Sequence, residues 1–277
     1  MKRLLIVGYG DIAHRTAALL PKEVEVRALS RNNGFDLDRP ESLGALGGWA
    51  DTVLHCAPPP AAGIADPRTA ALLATLETGG ILPSRLVYIS TSGVYGDCGG
   101  ALVDESREAN PQTARAVRRV DAERQLVAWG KLHDIAVVVL RAPGIYAADR
   151  LPDERLMKGI PVLADNDDVY TNHIHADDLA AIAFAALGAD APDGIYNASD
   201  DTQLKMGDWF DLVAERLGLP KPARVSRMEA AQAIPAPMLS FMSESRRLVN
   251  RRMKEALGVK LRYPTVYEGL PLNRRAA

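Results

Sequence analysis

The first fifteen residues constrain this chain more than any other stretch. Leu4-Leu5-Ile6-Val7 is an apolar run that leads into Gly8-Tyr9-Gly10-Asp11-Ile12-Ala13. The residues from Asp11 to Leu20 read as a helix. Strand, glycine turn and helix form the setting in which G-x-G-x-x-A signals a dinucleotide site. Gly8 permits the tight turn, Gly10 lets the backbone approach a pyrophosphate, and Ala13 lets the helix pack on the strand. The N–H groups at the helix start, where Asp11 and Ile12 stand, face the anion.

Size and charge narrow the setting. A chain of 277 residues with 47% hydrophobic content can build one large domain, or a domain with a smaller appendage. The net charge of -2 provides no basic field for nucleic acid. No run approaches the ~18 apolar residues of a membrane span. Met1-Lys2-Arg3 and the short apolar run after it read as a first strand rather than a signal peptide. Cys56 and Cys98 have no metal-ligand spacing, so a disulfide-free cytoplasmic protein is the simplest expectation.

Val24 to Leu29 alternates and reads as the second strand. An acid often follows this strand in NAD sites, where it binds the ribose 2′-hydroxyl. Ser30 and Arg31 stand here instead, a pair suited to a 2′-phosphate and so to NADP over NAD. Thr52 to Ala57 reads as a buried strand stopped by Pro58-Pro59-Pro60, with His55 as a hydrogen-bonded core residue. A helix follows over Ala65 to Leu76. Arg85 to Ser90 is the fourth strand and runs into Thr91-Ser92-Gly93-Val94-Tyr95-Gly96. A hydroxyl cluster at the carboxyl end of such a strand lies where ligands bind. Gln112 to His133 is a long helical pattern, and Ile135 to Leu140 is the strongest strand.

After Tyr146 the alternation loosens. A short helix is expected between Pro152 and Pro161, and Asp165 to Asp168 reads as a solvated acidic turn without metal-ligand spacing. Tyr170 to His175 is extended. A helix over Asp177 to Leu187 has Asp177 or Asp178 as its cap. Gly194 to Ala198 is a last strand, Met206 to Leu217 an amphipathic helix, and Ser243 to Leu257 a basic helix with a solvated face.

The strand–helix alternation implies a doubly wound parallel α/β sheet, a Rossmann arrangement. The dinucleotide-binding part is expected over 1–145 and a smaller, mainly substrate-binding part over 146–277, with 174–198 returning to the sheet. The residues also resemble the extended short-chain dehydrogenase/reductases, which include nucleotide-sugar epimerases and dehydratases. The resemblance rests on the glycine turn, Asp36-Leu37, Leu54-His55-Cys56-Ala57 and Ser90-Thr91-Ser92-Gly93-Val94-Tyr95-Gly96. It continues through Leu140-Arg141-Ala142-Pro143-Gly144-Ile145-Tyr146, His175-Ala176-Asp177-Asp178-Leu179-Ala180 and Ile195-Tyr196-Asn197. It implies that Asp36 and Leu37 border the adenine and that Ala57 and Pro58 line the cofactor cleft. Thr91, or Ser92 beside it, would hydrogen-bond the reacting oxygen, and Pro143 would flank the nicotinamide. A small-molecule substrate and a homodimer through the Gln112–His133 helix are further implications.

Two departures matter. Val7 stands where epimerase-like members carry the first glycine of G-x-x-G-x-x-G. The family's Tyr-x-x-x-Lys is missing: if Glu123 is the Glu four residues beyond that Lys, Arg115 and Arg119 occupy the Tyr and Lys places. Guanidinium stays protonated and cannot shuttle a proton. Four residues apart on a helix, the two arginines share a face. Facing the cleft they would bind a phosphate or carboxylate; facing water they are surface charges. Tyr146, His173 and Tyr95 are the remaining proton-transfer candidates. The resulting expectation is an atypical NADP-dependent oxidoreductase. The alternatives are a non-catalytic NADP sensor or scaffold, and an epimerase or dehydratase.

Overall fold

The computed structural model describes residues 1–44 and 46–271. The chain runs through β1 (Arg3–Val7), α1 (Asp11–Ala17), β2 (Glu25–Leu29), β3 (Thr52–His55), α2 (Pro67–Thr78), β4 (Arg85–Thr91), β5 (Leu102–Val103), α3 (Ala114–His133) and β6 (Ala136–Ala142). Then come β7 (Gly144–Tyr146), α4 (Asp153–Met157), β8 (Val162–Leu163), β9 (Tyr170–Thr171), β10 (His173–His175), α5 (Ala176–Ala186) and β11 (Gly194–Asn197). The last stretch holds β12 (Leu204–Lys205), α6 (Met206–Leu217), β13 (Arg224–Val225), α7 (Arg227–Ala233), α8 (Ala236–Leu239), β14 (Arg247–Leu248), α9 (Arg251–Ala256) and α10 (Val266–Gly269).

Six strands form one parallel sheet in the order β11-β6-β4-β3-β1-β2. Parallel strands need crossover helices, and these cover both faces. The side-chain period of two sorts β1 between them. Leu4 and Ile6 pack on one side with Ile12 and Ala13 of α1 and Leu179, Ile182 and Ala183 of α5. Leu5 and Val7 pack on the other with Leu72 and Leu76 of α2 and Leu126 and Trp129 of α3. Each such fully buried aliphatic side chain contributes about 1.5–3 kcal/mol relative to exposure. A separate core beyond β6 gathers Tyr146, Leu156, Trp209, Phe210 and Val213.

Helix ends follow local chemistry. Asp66 accepts the N–H groups of Arg68 and Thr69 and starts α2, with Pro67 at its first position. Thr113 caps α3 through the N–H of Ala116. The cap of α5 differs from expectation. His175 Nδ1 accepts the Asp177 N–H at 3.1 Å, while Asp178 accepts the N–H groups of Arg262 and Tyr263. Asp178 thereby anchors the C-terminal segment to the sheet's helix.

Two further expectations fail. The basic stretch from Ser243 is not one helix: β14 pairs with β5, and only Arg251–Ala256 is helical. Its arginines serve separate contacts. Arg246 reaches Gly96 O and Glu244, Arg247 reaches Gly100 O, and Arg252 lies over Tyr196. The acidic turn is not wholly solvated, because Asp168 is buried and accepts the N–H groups of Val169 and Gly207. Among the described residues no cluster of His, Cys, Asp or Glu could hold a metal, and no helix is long and apolar enough to cross a membrane.

Burial also sets a pH dependence. It pushes His55 and His173 down to about 3 from 6.5 and lowers His175, so these imidazoles are neutral in the fold at pH values where the unfolded chain protonates them. Their stabilisation is lost as pH falls below 6.5. Burial pushes the Asp200 carboxyl up to about 7 and raises Asp168, which acts in the opposite direction above 3.8. The two imidazoles pushed down to about 3 outweigh the one carboxyl pushed up to about 7. The melting temperature by circular dichroism should therefore fall between about pH 6.5 and pH 4. A rise on acidification over that range would contradict the burial of these histidines.

Candidate cofactor cleft

The carboxyl ends of β1 to β4 and β6 open into a cleft of about 530 Å³. Its floor is the glycine turn. The N–H groups of Gly8 and Tyr9 both donate to Leu29 O, at 3.0 and 3.2 Å, which ties the turn to the end of β2. Gly8 has φ of +88°, and a Cβ there would stand 2.5 Å from the Ala57 nitrogen. Its lack of a side chain is what brings β1 and the residues after β3 together. Gly10 is different: a Cβ there would meet nothing within 4 Å. No neighbour crowds a side chain at this position, and Gly10 is one of the residues that line the cleft.

At one end the cleft is bordered by Leu29, Ser30, Arg31, Phe35, Asp36 and Leu37. Asn33 shapes this corner. Its Oδ1 accepts the Ser30 N–H at 2.9 Å, and its Nδ2 donates to Ala28 O. Arg31 is exposed on the rim. Arg68 of α2 also lines the cleft and forms a fork to Asp38 at 2.8 and 2.6 Å, while Nη1 donates to Pro58 O. That fork holds the Asp38 carboxyl below the usual range. It also joins the loop after β2 to the loop after β3.

At the other end stand Ile89, Ser90, Thr91, Arg119, Ala142, Pro143 and Ile145. Thr91 Oγ1 accepts the Gly93 N–H at 3.2 Å, which leaves its own hydroxyl proton free to donate. Ser90 is committed elsewhere: its hydroxyl donates to Glu123 Oε1 at 2.5 Å. Glu123 pairs with Arg141 at 2.7 Å, both side chains being about 95% buried. Arg141 lies under the Tyr95 ring, and Tyr95 Oη donates to Asn197. This chain of contacts fixes the end of β4 to α3, β6 and β11.

The two arginines at the Tyr and Lys places part company. Arg119 lines the cleft, with Nη1 donating to Tyr88 Oη at 2.8 Å and to Ile89 O at 2.9 Å. It has no carboxylate partner among the described residues. Arg115 is exposed and stacks on Phe241 at 4.2 Å, away from the lining. Burial pushes the neighbouring Cys56 thiol up to about 12, which Arg119 only partly offsets, so this lining thiol is neutral near pH 7.

The cleft therefore gathers Gly8, Gly10, Asp11, Ile12, Ala13, Ser30, Arg31, Asp36, Leu37, Ala57, Pro58, Thr91, Pro143 and Arg119. It does not gather Ser92, Tyr146, His173 or Arg115. Ser92 is buried behind Thr91. Tyr146 packs edge-on to His175 and Trp209, and its Oη donates to Thr265 O. His173 stacks on Trp209 at 4.2 Å. Sequence reasoning missed Phe35, which stands beside Asp36, and Arg68 and Arg150, which line the cleft from segments without a recognisable motif.

A doubly wound parallel sheet whose glycine turn floors a cleft at the strand ends is the architecture of the Rossmann proteins. The chain belongs to the NAD dependent epimerase/dehydratase family, whose model matches residues 13–199. A curated relative, the 3-diazoavenalumate denitrifying reductase of a Streptomyces species, is 29% identical over 197 residues. That match covers 67% of this chain and 64% of the relative, less than two thirds of the relative's own length. A functionally unknown conserved protein from Silicibacter pomeroyi is similar along the whole chain: 31% identity, TM-score 0.79, covering 97% of this chain and 96% of that one. The structure of RMD from Pseudomonas aeruginosa complexed with NADPH shares the fold at 19% identity and TM-score 0.75, covering 97% and 96% of the two chains.

The two glycines make separable predictions. Gly8→Ala should destabilise the protein by about 2 kcal/mol or more, through a positive φ and a clash with backbone. Gly10→Ala should leave the melting temperature unchanged yet weaken NADPH binding in a fluorescence titration. Equal loss of stability in both variants would contradict the assignment of Gly10's open side to a ligand.

Proposed function

We propose that this chain is an NADP-dependent oxidoreductase acting on a small carbonyl or alcohol substrate without a Tyr-x-x-x-Lys pair. One observation carries the reading. A single cleft joins the open side of Gly10 to Ser30 and Arg31 at one end and to Thr91, Arg119 and Pro143 at the other. The family's name supports the cofactor class, and the reductase name of the Streptomyces relative supports the direction of reaction. When bound, the cofactor supplies or accepts a hydride at its nicotinamide ring.

The chain's own residues would do the rest. Ser30 and Arg31 would receive the 2′-phosphate, since a guanidinium there favours added negative charge. Asp36 and Leu37 would border the adenine, and Ala57, Pro58 and Pro143 would enclose the ribose and nicotinamide. Residues 146–277 would mainly carry the substrate. Thr91 would donate its free hydroxyl proton in a hydrogen bond to the substrate oxygen. Arg119 would add a fixed positive charge beside that oxygen, where developing negative charge is stabilised. Neither can act as a general acid near pH 7, so water would deliver the proton.

With the cofactor bound, Thr91→Ala should lower kcat at least tenfold and leave NADPH affinity unchanged. Arg31→Ala should weaken NADPH more than NADH. Absorbance of reduced nicotinamide across a panel of small carbonyls and nucleotide sugars reads the first, and binding titrations read the second. A second reading, a cofactor-binding sensor, draws support from the lack of Tyr, His or Lys, among the described residues, in the lining at the Thr91 end. Tight NADPH binding with no turnover on any panel member would favour it.

A further inference from the structure

Arg150 enters the cleft from the segment after β7, and no motif points to it. Its Nη1 donates to Asp11 Oδ2 at 2.7 Å. Asp11 follows Gly10 directly, so the pair stands beside the open side of the glycine turn. The other Asp11 oxygen accepts from Arg15 Nε at 2.8 Å. Arg15 also reaches Asp177 at 2.6 Å and Asp149 at 3.2 Å, so three carboxylates surround it. Arg150 has only Asp11, and its Nε and Nη2 make no hydrogen bond among the described residues. Its side chain remains 37% exposed on the cleft wall.

Charge makes this arrangement consequential. Burial works against the Asp11 carboxylate, yet Arg15 and Arg150 hold its pKa below the ordinary range, so it is ionised. A carboxylate beside the open side of the turn repels an incoming pyrophosphate. The guanidinium on that carboxylate offsets its charge, and its two unbonded donor nitrogens belong to a side chain that lines the cleft. A guanidinium fork suits phosphate oxygens. The ion pair of Arg15 with Asp149 holds the segment that carries Arg150 against α1.

We propose that Arg150 binds the pyrophosphate of the dinucleotide, with Asp11 as the counter-charge that the pyrophosphate displaces. This rests on the reading of the cleft as a dinucleotide site. Asp11, which the glycine-turn pattern counts among the cofactor residues, then acts through Arg150 rather than on the cofactor.

The test is NADPH titration by fluorescence on the full chain and three variants, with a melting curve for each. Arg150→Gln should raise Kd about tenfold and Arg150→Lys should fall between it and the parent. Asp11→Asn keeps an acceptor for Arg15 and removes the competing charge, so it should bind NADPH as tightly as the parent or more tightly. Adding Arg150→Gln to Asp11→Asn should abolish that advantage. Unchanged affinity in Arg150→Gln would overturn the proposal. So would equal weakening by Asp11→Asn and Arg150→Gln, the mark of an ion pair that only supports the fold. Absence of NADPH binding by the parent chain would instead overturn the dinucleotide reading on which the proposal stands.

Discussion

The cleft depends on the close approach of Gly8 to Ala57. No side chain fits between them, since a Cβ on Gly8 would stand 2.5 Å from the Ala57 nitrogen. The same turn is tied on its other side to Leu29 O by two amides. Three strand ends thus meet at one residue that must lack a side chain and adopt a positive φ. This contact puts the open side of Gly10, the Ser30–Arg31 corner and the Ala57–Pro58 wall around a single space. Moving Gly8 would move all of them together.

The far end of the cleft rests on a buried charge pair. Glu123 and Arg141 are both almost fully enclosed, and Ser90 and the Tyr95 ring complete their contacts. Breaking such a pair by removing one partner costs about 3–5 kcal/mol, because the other charge is left buried and unpaired. Through Ser90 the pair therefore ties down the end of β4 beside Thr91. Arg119, one helical turn before Glu123, takes its position from that same frame through Tyr88 and Ile89. In this chain the scaffold at the Thr91 end of the cleft is ionic, and the groups lining it there are a hydroxyl and a guanidinium.

Much of this was legible in the sequence where local pattern decides the outcome. The six sheet strands follow apolar or alternating runs, and α2, α3 and α6 follow their periodic faces and caps. The glycine turn and Ser30–Arg31 declare themselves by residue type. The failures have a common cause, which is that distant partners override local preference. His175 caps α5 although imidazole is not a favoured capping group. The arginines after Ser243 look like a solvated helix until Gly96, Gly100 and Tyr196 claim them one by one. Helical spacing puts Arg115 and Arg119 on one face, but only the tertiary packing shows that one lies over Phe241 and the other lines the cleft. Arg68 and Arg150 carry no sequence signal, because what defines them is an ion pair across loops.

On our reading, one cleft in this chain holds a nicotinamide dinucleotide against the glycine turn. Isothermal titration of the full chain with NADPH tests it most directly. A single saturable site with one NADPH per chain is expected, lost in Gly10→Ala while that variant melts like the parent. Saturable binding that Gly10→Ala leaves intact, or no heat of binding at all, would contradict it.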